Sequence, residues 1–462
     1  MAENQHASKP DSSQGLKNGL KSRHLTMISI AGVIGGALFV GSGNVIYSAG
    51  PAALIAYTLG GLLVLFIMRM LGEMAVLNPD SGSFSTYADR GIGRWAGFSI
   101  GWLYWSFWTL LMGWEAFVAG KILNNWFPFI PIWGYMLFVI VALVWINLRD
   151  VKNYGEFEFW FAGIKIIAIL GFILVGLAVL FGVVPQFGPV VGFKNLYQDG
   201  WFPNGYLPFL YGIVVIVCTY QGAELVGIAA GESEDPEKNV KKAIRNVGIR
   251  ILLFFVLSVF VVTMLTPWQQ SSVSNSPFIS ILQQAKIPYI YQIMQFVIVA
   301  ASLSAVNSAF YACARLLWSM SGSNQAPRIY AITNKNGVPY YGVIVTAAMS
   351  GLCLLSKFFG AEKVFILIVS SSGMVGCLIW IMISWGHIGF RHYLKREGVN
   401  PDTLSFRVRS YPLVPILSIV FNALVILGML CDDGQRIVVY LGLILIAFFL
   451  VVYRVFFYKS TN

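Results

Sequence analysis

Apolar residues fill the chain in long runs separated by short polar segments. Stretches near 27–47, 51–71, 97–124, 131–149, 160–184, 207–230, 248–267, 287–318, 340–358, 361–388, 411–430 and 437–457 are each long enough to cross a hydrocarbon layer as a helix, given a core about 30 Å thick. They are continuous rather than alternating, which argues against a membrane β-barrel. The pattern predicts an all-α polytopic membrane protein with 12 transmembrane helices. The third and eighth runs exceed the length needed and predict tilted helices. The longest connections, near 72–96, 185–206 and 389–410, are too short for a second soluble domain.

Two of these runs are interrupted. The first contains "AGVIGGALFVGSG" (31–43), with glycine at Gly32, Gly35, Gly36, Gly41 and Gly43. Each glycine costs a helix about 1 kcal/mol relative to alanine. The sixth run contains "CTYQGAE" (218–224), where polar groups and a glycine break an apolar stretch. Runs one and six are the matching members of two five-helix halves, 1–5 and 6–10. Paired interruptions at matching positions predict a 5+5 inverted repeat with discontinuous helices 1 and 6, followed by two peripheral helices.

An unwound helix frees main-chain N–H and C=O groups, which in hydrocarbon need new partners. A half-helix N-terminus offers N–H groups and a positive dipole end to a carboxylate, and freed carbonyls suit an ammonium. A zwitterionic amino acid carries both. For the first run alone a second reading stays open, since Gly32 and Gly36 also fit the small-xxx-small pattern of close helix packing.

Composition narrows the class. Of 462 residues, 57% are hydrophobic and 11% charged, against about 25% charged in soluble proteins. The mean hydropathy is +0.72. A soluble enzyme is excluded. The net charge of +11 reflects basic loops, not nucleic-acid binding. Most of the 31 lysines and arginines fall on one side of the predicted membrane, among them Lys17, Lys21, Lys238, Lys241, Lys242, Arg245, Arg391 and Lys395. That asymmetry places both termini in the cytoplasm. The twenty N-terminal residues are polar, predict disorder and contain no signal peptide. The five cysteines and four histidines form no ligand spacing, so no metal and no cofactor are expected. No nucleophile–base pair or phosphate loop marks an enzyme. The chain divides into an N-terminal tail (1–24), a ten-helix transport core (25–390), and the last two helices with the C-terminus (391–462).

Three charges lie well inside the runs: Glu115, Lys165 and Glu224. Buried membrane charges are expensive and point to function. Lys165 reads either as a proton carrier or as a fixed positive charge on a carbonyl or carboxylate. Glu115 reads as a contact for the substrate amine, a proton carrier, or a bond to a neighbouring helix. Glu224 follows the second break by two residues and reads as a proton sensor or as an acceptor for the freed N–H groups. Tyr220, at the break, is a gate candidate.

The stretches "LKSRHLTMISIAGVIGGALFVGSG", "LGEMAVLNPDSGSFSTYADRGIGRWAGFSIGWLYW", "VKNYGEFEFWFAGIKIIAI", "GAELVGIAAGESEDPEKNV" and "NSAFYACARLLWSM" together resemble the bacterial amino acid permeases of the amino acid–polyamine–organocation superfamily. The first half is similar to GABA permeases and the second to lysine permeases. The resemblance implies a LeuT-like fold and proton-coupled symport of an amino acid such as GABA or lysine across the inner membrane. An exchanger, or a permease for neutral or aromatic amino acids on the same fold, is the alternative. It implies that the amides of Gly35, Gly36 and Ala37 receive the substrate carboxylate and the carbonyls of Val33, Cys218 and Gln221 its amino group. It implies that Lys165 couples the proton, and that Asn307, Ser304 and Ser370 to Ser372 border the pocket. The implied partners are a small-molecule amino acid, a proton and membrane lipid, with no nucleic acid; the sequence leaves the oligomeric state open, a monomer included.

Overall fold

The computed structural model describes residues 16, 23–24, 27–28, 32–149, 151–188, 192–233, 235–245, 247–271, 276–358 and 361–457. Most of the N-terminal tail lies outside them. The described residues are predominantly helical, and no β-sheet occurs among them. The principal helices are α1 (Gly36–Ala49), α2 (Ala53–Leu77), α3 (Phe84–Gly91), α4 (Arg94–Trp126), α5 (Ile132–Asn147), α6 (Val151–Leu180), α7 (Tyr206–Tyr220), α8 (Leu225–Ala229) and α9 (Pro236–Arg245). They continue with α10 (Val247–Ile251), α11 (Leu257–Leu265), α12 (Pro277–Gln284), α13 (Ile290–Gly322), α14 (Tyr340–Gly351), α15 (Ala361–Arg396), α16 (Leu413–Met429) and α17 (Asp433–Val452). Among the described residues each apolar run is helical over most of its length. Among the described residues, seven helical stretches are both long and apolar enough to cross a membrane; the first, Leu38–Leu77, is α1 and α2 joined by a turn at Gly50–Ala52. Three shorter apolar helices accompany them.

Several helices overrun the apolar runs that predict them, and two do so around one ion pair. α2 continues to Leu77 and α15 to Arg396. The reason is an ion pair that shelters charge inside helix packing. Glu73 is fully buried, and Arg391 grips it with Nε at 2.6 Å and Nη2 at 2.8 Å. The amide of Val408 donates to the same carboxylate. Two-pronged pairing of this kind offsets the desolvation of both ions. Removing one partner strands the other, so Glu73→Ala is expected to cost about 3 kcal/mol. A fall in melting temperature of the detergent-solubilised variant reads this out, and an unchanged value would show that the pair adds nothing.

α13 is the hub. It is buried along most of its 33 residues and packs on α4, α5, α6 and α14. Its central run of Ala300, Ala301, Ser302, Ser304 and Ala305 is small, which lets neighbouring backbones approach. A second buried pair ties it to the segment after α8: Arg315 Nε lies 3.2 Å from Glu232 Oε1, and the Tyr311 hydroxyl donates to Glu232 Oε2 at 2.8 Å. The outer helices α5, α16 and α17 turn large apolar side chains outward, with Phe138 66% and Ile444 64% exposed. That is the surface a hydrocarbon solvent requires.

A candidate substrate site between two broken helices

Both interruptions are present. Residues Gly32 to Gly35 are non-helical, and α1 starts at Gly36 behind an extended Gly35 (φ −101°, ψ −176°). On the other side α7 ends at Tyr220, Gln221 to Glu224 form a turn, and helix resumes at Leu225. Gly222 makes that turn with φ +109°, a region that glycine enters freely.

The two breaks touch through their backbones. A Cβ at Gly222 would lie 2.1 Å from the carbonyl oxygen of Gly32, and one at Gly32 would lie 2.9 Å from that of Gly222. Gly32 therefore serves contact between the breaks, which is a packing role. Gly35 and Gly36 face elsewhere. Their missing Cβ positions point at the Glu115 carboxylate, 2.7 Å from Oε1 and 2.8 Å from Oε2 respectively.

Glu115 reaches this place from the middle of α4 and is 2% exposed. Its Oε2 accepts the Gly36 amide at 3.2 Å. The opening turn of a helix carries amides with no partner inside the helix, and the positive end of the dipole favours an anion there. A carboxylate of the protein thus occupies the N-terminus of α1. Ser302, on α13, aims its hydroxyl at the same point: its Oγ would lie 2.7 Å from a Cβ at Gly36. That hydroxyl is buried with no hydrogen-bond partner among the described residues.

Behind the cradle lies a polar cluster. Lys165 on α6 is fully buried and donates to the Ile34 carbonyl and to Ser304 Oγ, both at 2.8 Å. The Ser304 hydroxyl in turn donates to Glu158. Asn307 Nδ2 donates to the other oxygen of Glu158 at 3.3 Å, and Asn307 Oδ1 accepts from Asn147 at 2.8 Å. Ser304 and Asn307 therefore belong to the lysine cluster.

At the second break Glu224 accepts the Gly222 amide at 3.0 and 3.1 Å and the Tyr104 hydroxyl at 3.1 Å. The Gln221 amide satisfies both neighbours when its nitrogen donates to Glu224 Oε1 at 2.9 Å and its oxygen accepts from Trp380 Nε1 at 3.1 Å. Val33 and Cys218 are buried beside the two breaks. Ala37 sits in the first turn of α1. Tyr220 points away from the cradle: its hydroxyl donates to the Tyr57 carbonyl at 3.0 Å and its ring packs on Phe255. Ser372 is buried and Ser371 half-buried, while the side chain of Ser370 lies outside the described residues.

Sequence reading passed over two residues. Glu158 stands just before the apolar run that begins near 160, yet it precedes Lys165 by two helical turns and so shares its face. Ser302 stands two residues from Ser304 and five from Asn307 in a run of small residues, and nothing in the sequence singles it out.

A broken-helix cradle in an all-helical protein with membrane-length apolar helices, with a buried carboxylate at a half-helix N-terminus and a buried lysine behind it, is the kind of arrangement that suits a membrane transporter. Residues 24–461 match the amino acid permease family model, and the chain belongs to that family. It is similar to the gamma-aminobutyric acid permease of Bacillus subtilis (strain 168), 42% identical over 446 residues, covering 96% of this chain and 94% of that protein. It is similar to the gamma-aminobutyric acid permease of Escherichia coli (strain K12), 43% identical over 424 residues, covering 91% and 90%. It is also similar to the lysine-specific permease LysP of Escherichia coli (strain K12), 36% identical over 432 residues, covering 90% and 86%.

Proposed function

We propose that the chain is a proton-coupled symporter that imports an amino acid with a remote amine, such as GABA or lysine, across the cytoplasmic membrane. Twelve spans, both termini cytoplasmic, would form a 5+5 inverted repeat with two peripheral helices, in the division 1–24, 25–390 and 391–462. The observation that carries the reading is the Glu115 carboxylate on the Gly36 amide. The cradle already holds a carboxylate of the protein, so a substrate carboxylate finds there the donors it needs.

The amides of Gly35, Gly36 and Ala37 receive the substrate carboxylate, and the carbonyls of Val33, Cys218 and Gln221 its α-amino group where it has one. Glu115 must leave the cradle as the substrate enters, because two carboxylates on one set of amides repel. A remote ammonium gives Glu115 a new partner. The relatives named for GABA and lysine have substrates of that kind.

Lys165 supplies the coupling. Its ammonium has three donors, and two of them hold the Ile34 carbonyl and Ser304. Loss of the proton weakens that hold on the broken segment, which links protonation to the movement of α1. A lysine ammonium there also opposes a second cation such as sodium. Alternating access then follows as one helix bundle rocks against the other around the bound substrate.

Purified protein in liposomes should accumulate GABA or lysine under an imposed pH gradient with no sodium present. A requirement for sodium, or for internal amino acid, would replace this reading with a sodium-coupled carrier or an exchanger.

A further inference from the structure

We propose that the protein carries a binding site for an anionic phospholipid, with the phosphate headgroup in a basic cleft beside Arg69 in the C-terminal part of α2 and an acyl chain in the groove between α2 and α16. The inference is independent of which amino acid is carried and of how transport is coupled.

The cleft has a volume of about 410 Å³ and is lined by Arg69 of α2, by Lys238, Lys241, Lys242 and Arg245 of α9, and by Phe406. Its floor is tight. A Cβ at Gly72 would lie 2.2 Å from Ile244 Cδ1 and 2.7 Å from Phe406 Cε1, so α2, α9 and the Phe406 segment are in contact there. The four cations of α9 fall at spacings that put them on one helix face. Lys238 with Lys242, and Lys241 with Arg245, are like-charge neighbours one turn apart, an arrangement that destabilises a helix. Lys241 is offset by Glu237 at 2.5 Å. Arg69, Lys238, Lys242 and Arg245 have no acidic side-chain partner among the described residues. An anion in the cleft removes that repulsion.

The second half of the site starts one turn away on the same helix. A groove of about 300 Å³ is walled by Leu59, Leu62 and Phe66 of α2 and by Leu417, Val420 and Leu424 of α16. Leu59, Leu62, Phe66 and Arg69 follow each other three or four residues apart, so they form one stripe along α2. Phe66 and Arg69 are separated by about 4.5 Å of helix rise. Apolar surface alone says nothing here, since the outer helices all present it to lipid. What sets this groove apart is that it ends on five positive charges. A basic cleft between membrane helices is suited to an anionic headgroup. A soluble phosphate would use the cleft and ignore the groove, whereas a phospholipid uses both.

The test uses the full chain, purified in detergent, with lipid retention measured by native mass spectrometry. Phosphatidylglycerol should be retained and phosphatidylcholine should not. The variant carrying Arg69→Gln, Lys242→Gln and Arg245→Gln should bind phosphatidylglycerol about 100-fold more weakly, taking each basic residue near the headgroup at its usual contribution. Leu62→Trp, which fills the groove from an exposed position, should also weaken phosphatidylglycerol while leaving any inorganic phosphate binding unchanged. Equal retention of both lipids by the parent protein would overturn the proposal. So would unchanged phosphatidylglycerol binding in either variant. Displacement of phosphatidylglycerol by millimolar inorganic phosphate alone would reassign the cleft to a soluble anion.

Discussion

Lys165→Ala should abolish accumulation driven by a pH gradient. The side chain is fully buried, and its ammonium holds the Ile34 carbonyl and Ser304 at 2.8 Å each. Alanine removes the titrating group and leaves the carbonyl of a broken helix short of a donor, at a cost of about 1–3 kcal/mol for a buried unsatisfied group. Two effects are therefore mixed in the variant, and two assays separate them. Counterflow of labelled substrate in preloaded liposomes reports binding and the movement of the site, while accumulation under a pH gradient reports coupling. Retained counterflow with lost accumulation is the expected pair. Intact accumulation would remove Lys165 as the coupling group, and loss of both would make it a structural support of the first break.

Gly222→Ala, at a buried position, should destabilise the protein more than a glycine-to-alanine change where the Cβ meets open space. The residue holds φ +109°, and its new Cβ would lie 2.1 Å from the Gly32 carbonyl oxygen. Backbone strain of this kind costs about 1–3 kcal/mol, and forced overpacking adds about 1–3 kcal/mol. The two breaks have to separate to admit the methyl group. Gly163→Ala is the internal control: nothing lies within 4 Å of its Cβ position, and it sits inside α6. There alanine should be neutral or mildly stabilising, since it is the better helix former. Thermal unfolding of the two variants side by side checks the contrast. Equal melting temperatures would mean that the contact between the breaks yields without cost.

The sequence made the two breaks legible because glycine is costly in a helix, so its concentration at Gly32 to Gly36 and its recurrence at Gly222 required a reason. The cost of glycine did not separate Gly35 and Gly36 from Gly32; the resemblance assigned the first two to recognition, and the structure places Gly32 against Gly222. What stayed hidden depends on direction. At a helix end, one residue turns a side chain by about 100°. The sequence placed Tyr220 at the break but could not tell that its hydroxyl turns to the Tyr57 carbonyl. Asn307 entered only through the resemblance, as a pocket residue, and its link to Glu158 depends on how α6 and α13 are rotated against each other. Glu158 itself fell outside the run because apolar counting ends at the first charge, even when a neighbouring helix shelters that charge. The overrun of α2 has the same cause: Glu73 looks like a loop residue until Arg391 is brought to it from more than three hundred positions away.

The cradle is made of peptide groups, and every amino-acid replacement except proline leaves the N–H of a peptide group in place. Mutation can obstruct the amides of Gly35 and Gly36 by adding a side chain, but short of proline it does not change what they donate. Selection for a new substrate is thereby steered to the side chains around them, such as Glu115 and Ser302. On the proposed reading, an inherited grip on the carboxylate end leaves the other end free to drift. A family built this way can diversify its cargo while its central binding element stays nearly fixed.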